Sequence, residues 1–374
     1  MDNLNSNTTK IIFDYHVFLT QKFGGISRYF IELYKEFNKH DDVKVDIPLK
    51  YAINEYAKNE NINFVSVRDD IIKRKYLYKY YAFRNQQNIK RYLNENEVDI
   101  LHSTWYSPYV YNLKGKHKLV FTVHDMIQEL FYQEEKQFDI QRRKKAIFES
   151  DAIIAVSHNT KKDILNIYPE VNENKIKVIH SGVNNFVAPC KFDIPITTQR
   201  FILFVGQREK YKNGLLVIES LAELLKQDNI SLVFVGGGCF NKSELEQIHK
   251  LNIEDYVVQI SVSDCELAYL YNAAECFVFP SQYEGFGFPI LEAFVNNCPV
   301  ICSNSSSFPE IAEDAAIYFN VNDGNDLVKK VKELIYSPSL QNEYRKKGKK
   351  QAQKFNWKIT AEKTLELYQS LVYN

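Results

Sequence analysis

Residues 276 to 302 constrain the fold most, because two short apolar runs enclose a glycine-rich loop and an apolar helix pattern. The run from Cys276 to Phe279 predicts a buried strand, and the loop 280–287 follows it. A helix is expected to begin near Phe288-Pro289, since proline has no amide hydrogen to leave unsatisfied in a first turn. A second buried strand is expected from Val300 to Cys302. This β-loop-α-β order predicts an open α/β sheet, in which ligands bind where the strands end.

Two carboxylates flank this loop and helix start. Glu284 lies in the loop, and Glu292 lies one turn into the helix. Glycines and a helix start expose backbone amides that suit a phosphate, whereas carboxylates accept hydrogen bonds from hydroxyl groups. We therefore expect a ligand with both phosphate and polyol, a nucleotide sugar. For each residue alone, the alternative is a solvated helix position for Glu292 and a helix cap for Glu284.

The segment Glu284-Gly-Phe-Gly-Phe-Pro-Ile-Leu-Glu292 resembles the Glu-x7-Glu motif of the family-4 retaining glycosyltransferases, which have the GT-B fold. The resemblance implies an α/β chain of two Rossmann-like, doubly wound parallel-sheet domains that face each other across a cleft. We expect an acceptor-side domain at 1–185 and a nucleotide-sugar-binding domain at 186–357. The last helix, 358–374, is expected to pack back on the first domain.

Length and composition agree with two soluble domains. A chain of 374 residues is too long for one ordinary core, and 45% hydrophobic residues suffice for two. The formal net charge of zero gives no indication of nucleic-acid binding. The six cysteines contain no Cys-x-x-Cys pair, which favours a reducing compartment, and Cys276 and Cys302 are expected to be buried. Without a signal peptide or an apolar run of spanning length, we expect a cytoplasmic protein, with a peripheral position on the inner face of the cytoplasmic membrane as an option.

A glycine pair near the amino terminus stands between a predicted strand, 10–13, and a predicted helix. Gly24 and Gly25 alone could form a plain tight turn. The whole segment Phe23 to Phe30, Phe-Gly-Gly-Ile-Ser-Arg-Tyr-Phe, resembles the amino-terminal loop of family-4 enzymes, in particular bacterial O-antigen and capsule mannosyltransferases. The resemblance implies that this loop faces the donor phosphates and the acceptor.

His124 and Asp125 follow the predicted strand 118–123 and should lie at its carboxyl end. An isolated pair of this kind could be a core histidine bonded to its neighbour. The resemblance implies instead that the pair faces the transferred sugar. With Glu284, these two residues are the catalytic candidates.

Arg208 and Lys212 flank the end of the predicted strand 201–205, at the first βα junction of the second domain. A solvated charged loop is the alternative. Guanidinium and ammonium groups hold diphosphates, and the resemblance implies that both residues bind the donor diphosphate. No Asp-x-Asp occurs in the sequence. We therefore expect no metal and no cofactor.

The resemblance assigns further donor contacts. It implies that Glu292 holds the ribose, and it places the base near Val262, after a strand predicted at 256–261. The glycine usual before that strand end is replaced here by Ile260 and Ser261, so the base stays open between a GDP-sugar and a UDP-sugar. The loop backbone is implied to assist sugar and phosphate at Gly285, Phe286, Gly287 and Phe288.

Residues 71–94 contain seven Lys or Arg side chains, no acid and six interleaved Tyr or Phe residues. One interpretation is a solvated helix whose aromatic residues pack on its own domain. The other is an interfacial face for anionic lipid or for a polyprenyl-diphosphate acceptor. Nothing else in the chain supports a nucleic-acid partner.

The resulting prediction is a retaining, metal-independent hexosyltransferase, with GDP-mannose as the expected donor and a growing glycan such as O-antigen or capsule, free or lipid-linked, as acceptor. A UDP-sugar-dependent transferase is the main alternative. A nucleotide-sugar epimerase, a sugar phosphorylase and a non-catalytic scaffold of the same fold are further alternatives.

Overall fold

The computed structural model describes residues 8–113, 115, 117–184, 190, 192–208 and 210–373. The chain divides into two compact units. The first comprises Met1–Gly182 and Trp357–Asn374, and the second comprises Val183–Asn356. The domain boundary predicted between residues 185 and 186 lies outside the described residues.

The first unit is built on a parallel sheet with the order β2-β1-β5-β6-β7-β8, and a separate parallel pair joins β3 to β4. Its strands are β1 Thr9–Phe13, β2 Val43–Asp46, β3 Tyr51–Ala52, β4 Val65–Ser66, β5 Ile100–Ser103, β6 Lys118–Val123, β7 Ala152–Ala155 and β8 Ile176–Val178. The predicted strands 43–49 and 62–67 are shorter than expected. Pro48 has no amide for a sheet ladder, which is consistent with the early end of β2.

Helices cover the sheet of the first unit. Their bounds are His16–Thr20, Gly25–Phe37, Glu55–Asn59, Asp69–Ile72, Lys75–Glu95, Ile127–Phe131, Gln137–Glu149, His158–Ile167 and Trp357–Tyr373, with single 3-10 turns at Val110–Asn112 and Glu173–Lys175. Ser157 caps the helix His158–Ile167, as predicted, by accepting a hydrogen bond of 3.0 Å from the Thr160 amide.

The last helix of the chain is joined to the core of the first unit through His102 on β5. The two ring nitrogens of His102 contact the Tyr368 hydroxyl at 2.5 Å and the Thr122 hydroxyl at 2.8 Å. Burial lowers the pKa of His102 to about 3, so the imidazole is neutral. The ring of Trp357 also packs edge-on to Tyr29, with 5.8 Å between centroids.

The second unit has a parallel sheet with the order β11-β10-β9-β12-β13-β14. Its strands are β9 Arg200–Val205, β10 Ile230–Val235, β11 Val257–Ile260, β12 Cys276–Phe279, β13 Val300–Ser303 and β14 Ile317–Phe319. The strand order reverses between β9 and β12, which pair directly. In doubly wound sheets, ligands bind at this switch point, outside the carboxyl ends of the strands.

The helices of the second unit bury their apolar faces against this sheet. They are Gly214–Asp228, Lys242–Leu251, Asp264–Ala273, Phe288–Val295, Phe308–Ala312, Gly324–Ile335 and Pro338–Ala352, with 3-10 turns at Lys210–Lys212, Glu254–Tyr256 and Glu313–Ala315. Phe204, Phe234 and Val278 belong to the buried core. Among the described residues, no helix combines the length and the apolar character needed to cross a bilayer.

Cys190 and Cys265 form a disulfide across 75 residues, with 5.4 Å between their Cα atoms. The cysteine spacing gave no indication of this bond, and connectivity cannot be deduced from spacing alone. Cys276 and Cys302 are buried thiols, as predicted.

Candidate active site

The carboxyl ends of β9 and β12 bring together two of the predicted site residues. Lys212 lies in the turn after β9, and Glu284 lies in the loop after β12. The Lys212 ammonium donates to a Glu284 carboxylate oxygen in direct contact. Both side chains are largely buried, at 19% and 13% exposure. This ion pair occupies the switch point of the second sheet.

The loop that carries Glu284 is held by serines after β13. The Ser306 and Ser307 hydroxyls donate to the Glu284 carbonyl at 2.5 and 3.0 Å, and the Ser306 oxygen accepts from the Glu284 amide at 3.1 Å. Ser303 donates to the Ser281 carbonyl at 2.5 Å. We did not predict these serines, although a run of four serines within five residues after a strand could have indicated them.

The helix after this loop begins at Phe288, as predicted, with Gly287 rather than Glu284 at its N-cap. Gly287 has φ +103°, and a Cβ there would lie 3.2 Å from the Phe308 ring. Glycine is therefore required at this position. Phe286 is buried and packs against Phe288 at 5.1 Å, while Gly285 is buried beside them.

Glu292 is half-buried on this helix, so the interpretation as a solvated residue is wrong. Its Oε2 accepts a long hydrogen bond of 3.5 Å from the Tyr271 hydroxyl. Burial first, and then the Glu292 charge, raises the pKa of Tyr271 well above its usual range. Val262 follows the edge strand β11 and is half-buried.

Arg208 lies differently from the expectation. Its guanidinium is buried and donates to Glu244 at 2.7 Å and to the carbonyls of Gly236, Gly238 and Cys239 at 3.0 Å. It is therefore not a solvated loop residue, and direct contact with a diphosphate would require some of these bonds to break. The physical reason is that three consecutive glycines with positive φ turn their carbonyls inward, and a guanidinium is the donor that can satisfy several of them.

In the first unit, His124 follows β6 and packs edge-on to Tyr29, with 5.1 Å between ring centroids. Its Nε2 is buried and has no hydrogen-bond partner among the described residues. Burial lowers the pKa of His124 to about 4, so the imidazole is neutral near pH 7. It lines a small pocket with Ile26, Thr104 and Trp105. A buried nitrogen without a partner is a rare feature that suits a ligand hydroxyl.

Asp125 faces its own unit. Its carboxylate accepts from the Ile127 amide at 3.0 Å and from Arg143 at 3.4 Å. Arg143 is buried, also donates to the Asp125 carbonyl at 2.6 Å, and pairs with buried Glu129 at 3.2 Å. These contacts give Asp125 a positioning role beside His124. The sequence showed Arg143 only as part of a basic run.

The glycine pair near the amino terminus opens the helix Gly25–Phe37. The Gln21 side chain caps this helix by accepting from the Ser27 amide at 3.1 Å. A Cβ on Gly24 would lie 2.3 Å from the same Gln21 oxygen, whereas a Cβ on Gly25 would meet nothing within 4 Å. Gly24 therefore permits the cap, and Gly25 leaves open space in front of the helix start.

Asp14 is a buried carboxylate that the sequence analysis missed. It follows β1 and accepts from the Thr104 amide at 3.0 Å and from the Tyr109 hydroxyl at 3.2 Å. Burial raises its pKa. Because β1 and β5 are neighbours and the strand order reverses between them, these bonds join the two loops at the switch point of the first sheet.

The helix Lys75–Glu95 combines both interpretations of the basic aromatic segment. Tyr81 packs on Tyr51 at 4.9 Å, and buried residues face the domain. Tyr76, Tyr80 and Phe83 form an aromatic stripe at helical spacing, with exposures of 85%, 47% and 54%.

The charges of this segment are partly compensated by acids just outside it. Lys73 pairs with Asp69 at 2.7 Å, and Arg91 pairs with Glu95 at 2.8 Å. Among the described residues, no group of three or more His, Cys, Asp or Glu is arranged to hold a metal ion.

Two family models match the chain: Glycosyltransferase Family 4 over residues 23–185, and Glycosyl transferases group 1 over residues 190–351. O-antigen chain mannosyltransferase B of Escherichia coli is 33% identical over 177 residues, which is 46% of each chain. O-antigen chain mannosyltransferase RfbU of Salmonella typhimurium is 30% identical over 58% of this chain and 61% of the relative. The chain thus aligns with about half of the length of these relatives.

The fold is similar to that of HepE from Anabaena, solved in complex with UDP and glucose, with a TM-score of 0.74, 16% identity and coverage of 97% and 100%. The two doubly wound domains and these matches define a glycosyltransferase with the GT-B fold. Within that class, the chain belongs to the glycosyltransferases that join a Family 4 domain to a group 1 domain.

Proposed function

We propose that this protein is a retaining glycosyltransferase that moves mannose from GDP-mannose onto a growing bacterial surface glycan. The observation that carries the proposal is the contact between Lys212 and Glu284 at the switch point of the second sheet. It pairs a phosphate-binding group with a hydroxyl-binding group, as a nucleotide sugar requires. The similarity to the two O-antigen mannosyltransferases supports the choice of mannose.

The donor would lie along the carboxyl edge of the second sheet. Lys212 would neutralise the diphosphate, and the amides from Phe286 to Phe288 would assist it. Glu284 would accept hydrogen bonds from the transferred sugar, and Glu292 from the ribose. Arg208 would contribute indirectly, by holding the glycine loop.

In the proposed reaction, the bond between the anomeric carbon and the phosphate oxygen breaks, and its electron pair leaves with the nucleoside diphosphate. An acceptor hydroxyl forms the new bond on the same face. Its proton passes to the leaving phosphate, so no side chain is needed as general base. His124, neutral at pH 7, would bind a sugar hydroxyl. With Lys212 as counter-charge, the reaction would need no metal.

The acceptor would be a glycan on an anionic lipid carrier at the membrane surface. Support comes from the exposed aromatic stripe Tyr76, Tyr80 and Phe83, flanked by Lys75 and Lys79. Tyrosine combines an apolar ring with a polar tip and suits the headgroup zone. The protein would then work as a peripheral protein on an anionic bilayer.

A UDP-sugar donor is the second candidate, because HepE was solved with UDP and glucose. Release of nucleoside diphosphate from a panel of GDP- and UDP-sugars distinguishes the two, with and without EDTA. GDP-mannose is expected to turn over fastest, and the rate is expected to persist in EDTA. A preference for a UDP-sugar would discard mannosyl transfer and keep the site. Interconversion of sugars without release would indicate an epimerase, and no reaction with any donor would favour a scaffold. Loss in EDTA that Mg²⁺ restores would contradict the metal-free mechanism.

A further inference from the structure

We propose that the carboxyl edge of the first sheet contains a subsite for a sugar that carries a phosphate group, formed by Trp105, His16, Arg142 and Tyr78. The inference rests on the proposed function, because it assigns this subsite to the acceptor. The shared chemistry is a saccharide next to a phosphate oxygen, as in a sugar phosphate or a carrier-linked sugar diphosphate.

The subsite lies where the strand order of the first sheet reverses. His16 follows β1, and Trp105 follows β5, the neighbouring strand. The bonds between Asp14 and Thr104 join the two loops immediately before these residues. His16 and Trp105 therefore have a fixed geometry, as ligand-binding groups at a switch point should.

Trp105 offers a flat surface for a sugar. Its ring is stacked on His16, with 6.1 Å between centroids and 11° between planes, and on Tyr106, with 4.4 Å and 30°. The residue is only half-buried. It also lines the pocket of His124. A sugar on Trp105 would thus lie beside the histidine that we propose to act on a sugar hydroxyl.

Two buried nitrogens provide the second, independent observation. Neither His16 Nδ1 nor Arg142 Nε has a hydrogen-bond partner among the described residues. Arg142 also makes no ion pair with a described carboxylate, and its guanidinium lies 3.9 Å from the centroid of the Phe138 ring. Buried donors of this kind are rarely left without partners, and a charged one calls for an anion.

The electrostatics favour a phosphate. Burial, and then the charge of Arg142, lowers the pKa of His16 to about 4, so His16 is neutral and Arg142 carries the positive charge. The same charge acts on Tyr78, although burial dominates and raises the pKa of that phenol. A guanidinium with a phenol and an imidazole beside it suits phosphate oxygens.

Tyr78 also connects the subsite to the membrane proposal. It lies on the helix Lys75–Glu95, whose exposed face carries Tyr76, Tyr80 and Phe83. A carrier lipid on that face would have its phosphate near Arg142 and its sugar near Trp105. The order lipid, phosphate, sugar then follows the order of the residues across this edge.

The chain allows a local test, because it has only two tryptophans. In a Trp357→Phe variant, Trp105 is the sole tryptophan, and its fluorescence is titrated with mannose 1-phosphate, inorganic phosphate and methyl α-mannoside. Saturable quenching is expected, at least tenfold tighter for mannose 1-phosphate than for either part. Arg142→Gln should weaken binding at least tenfold. Lys144→Gln removes a charge that packs over Phe148 on the same helix, and it should bind as the parent does.

Two additions keep the outcome decisive. Lys212→Ala removes the proposed phosphate contact of the donor site, and quenching should persist in it. If Trp357→Phe fails to fold, calorimetric titration of Arg142→Gln and of the protein with both tryptophans gives the same comparison. No saturable binding, or equal binding by Arg142→Gln and its parent, would overturn the subsite.

The donor assay separates this inference from the proposed function. Turnover of nucleotide sugars without mannose 1-phosphate binding would overturn the subsite alone. Binding that depends on Arg142, in a protein that turns over no nucleotide sugar, would support the subsite and contradict the transferase.

Discussion

The ammonium of Lys212 and the carboxylate of Glu284 are in direct contact, although 72 residues separate them in the chain. Both are largely buried, so each compensates the charge of the other. An arriving diphosphate would replace Glu284 as the partner of Lys212 and release Glu284 to accept from sugar hydroxyls. The pair therefore preforms a donor site without leaving a buried charge alone.

Lys212→Ala is expected to weaken nucleoside diphosphate binding by roughly 1.5–3 kcal/mol, because a charge-assisted hydrogen bond is lost. Calorimetric titration of GDP measures the change. Lys226→Ala, which removes an ammonium paired with Glu223 on the helix Gly214–Asp228, is the control and should bind normally. Wild-type affinity in Lys212→Ala would remove this residue from the donor site.

Arg208→Ala is expected to act on stability as well as on binding. It leaves Glu244 buried and unpaired, and breaking a buried ion pair costs about 3–5 kcal/mol. Hydrogen exchange of amides in the second unit measures the loss. Adding Glu244→Gln should recover part of it, because the unpaired charge is removed. A variant of unchanged stability that has lost GDP binding would instead support direct contact between Arg208 and the diphosphate.

The stability of the first unit should fall as the pH is lowered from 7 to 5. The folded pKa of His102 is about 3, below the usual value of 6.5, so only the unfolded state takes up a proton in this range. The free energy of unfolding should drop by about 2 kcal/mol for this histidine. His102→Gln should have a shallower dependence by that amount.

Urea unfolding followed by tryptophan fluorescence measures this slope, since Trp105 and Trp357 both belong to the first unit. Asp14 and Glu129, whose pKa values are raised by burial, contribute with the opposite sign. The comparison between variants cancels their contribution. His40→Gln, at a half-exposed histidine, should keep the parent slope. Equal slopes in His102→Gln and its parent would contradict the prediction.

Binding to anionic vesicles should depend on the helix Lys75–Glu95. Replacing Arg74, Lys75 and Lys79 by Gln should weaken binding by about 1 kcal/mol per charge, because each lies near an anionic surface. Replacing Tyr76 and Phe83 by Ser should weaken it further, through the lost apolar contact. Co-sedimentation at low salt measures both effects.

A charge-matched control lies on the second unit, where the exposed residues Lys346, Lys349 and Lys350 can be changed to Gln. This variant should bind vesicles as the parent does. If the parent ignores anionic vesicles, or if the control loses as much binding as the helix variant, the aromatic stripe is not a membrane contact.

Local patterns in the sequence determined much of the fold and the positions of the candidate residues. The strand Cys276–Phe279, the helix start at Phe288 and the cap at Ser157 lie where predicted. Such signals depend on burial period, proline geometry and capping, which involve residues within one or two turns. His124 and Glu284 likewise follow strands, so their place at a sheet edge could be predicted.

Only the tertiary structure decided which of these side chains meet. Lys212 reaches Glu284 because β9 and β12 are neighbours in the sheet, and no local pattern states strand order. Arg208 turns inward because the glycine carbonyls and Glu244 satisfy it better than water does. The disulfide between Cys190 and Cys265 is a pairing of the same kind. Such contacts join residues distant in sequence, so they depend on strand order and packing rather than on periodicity.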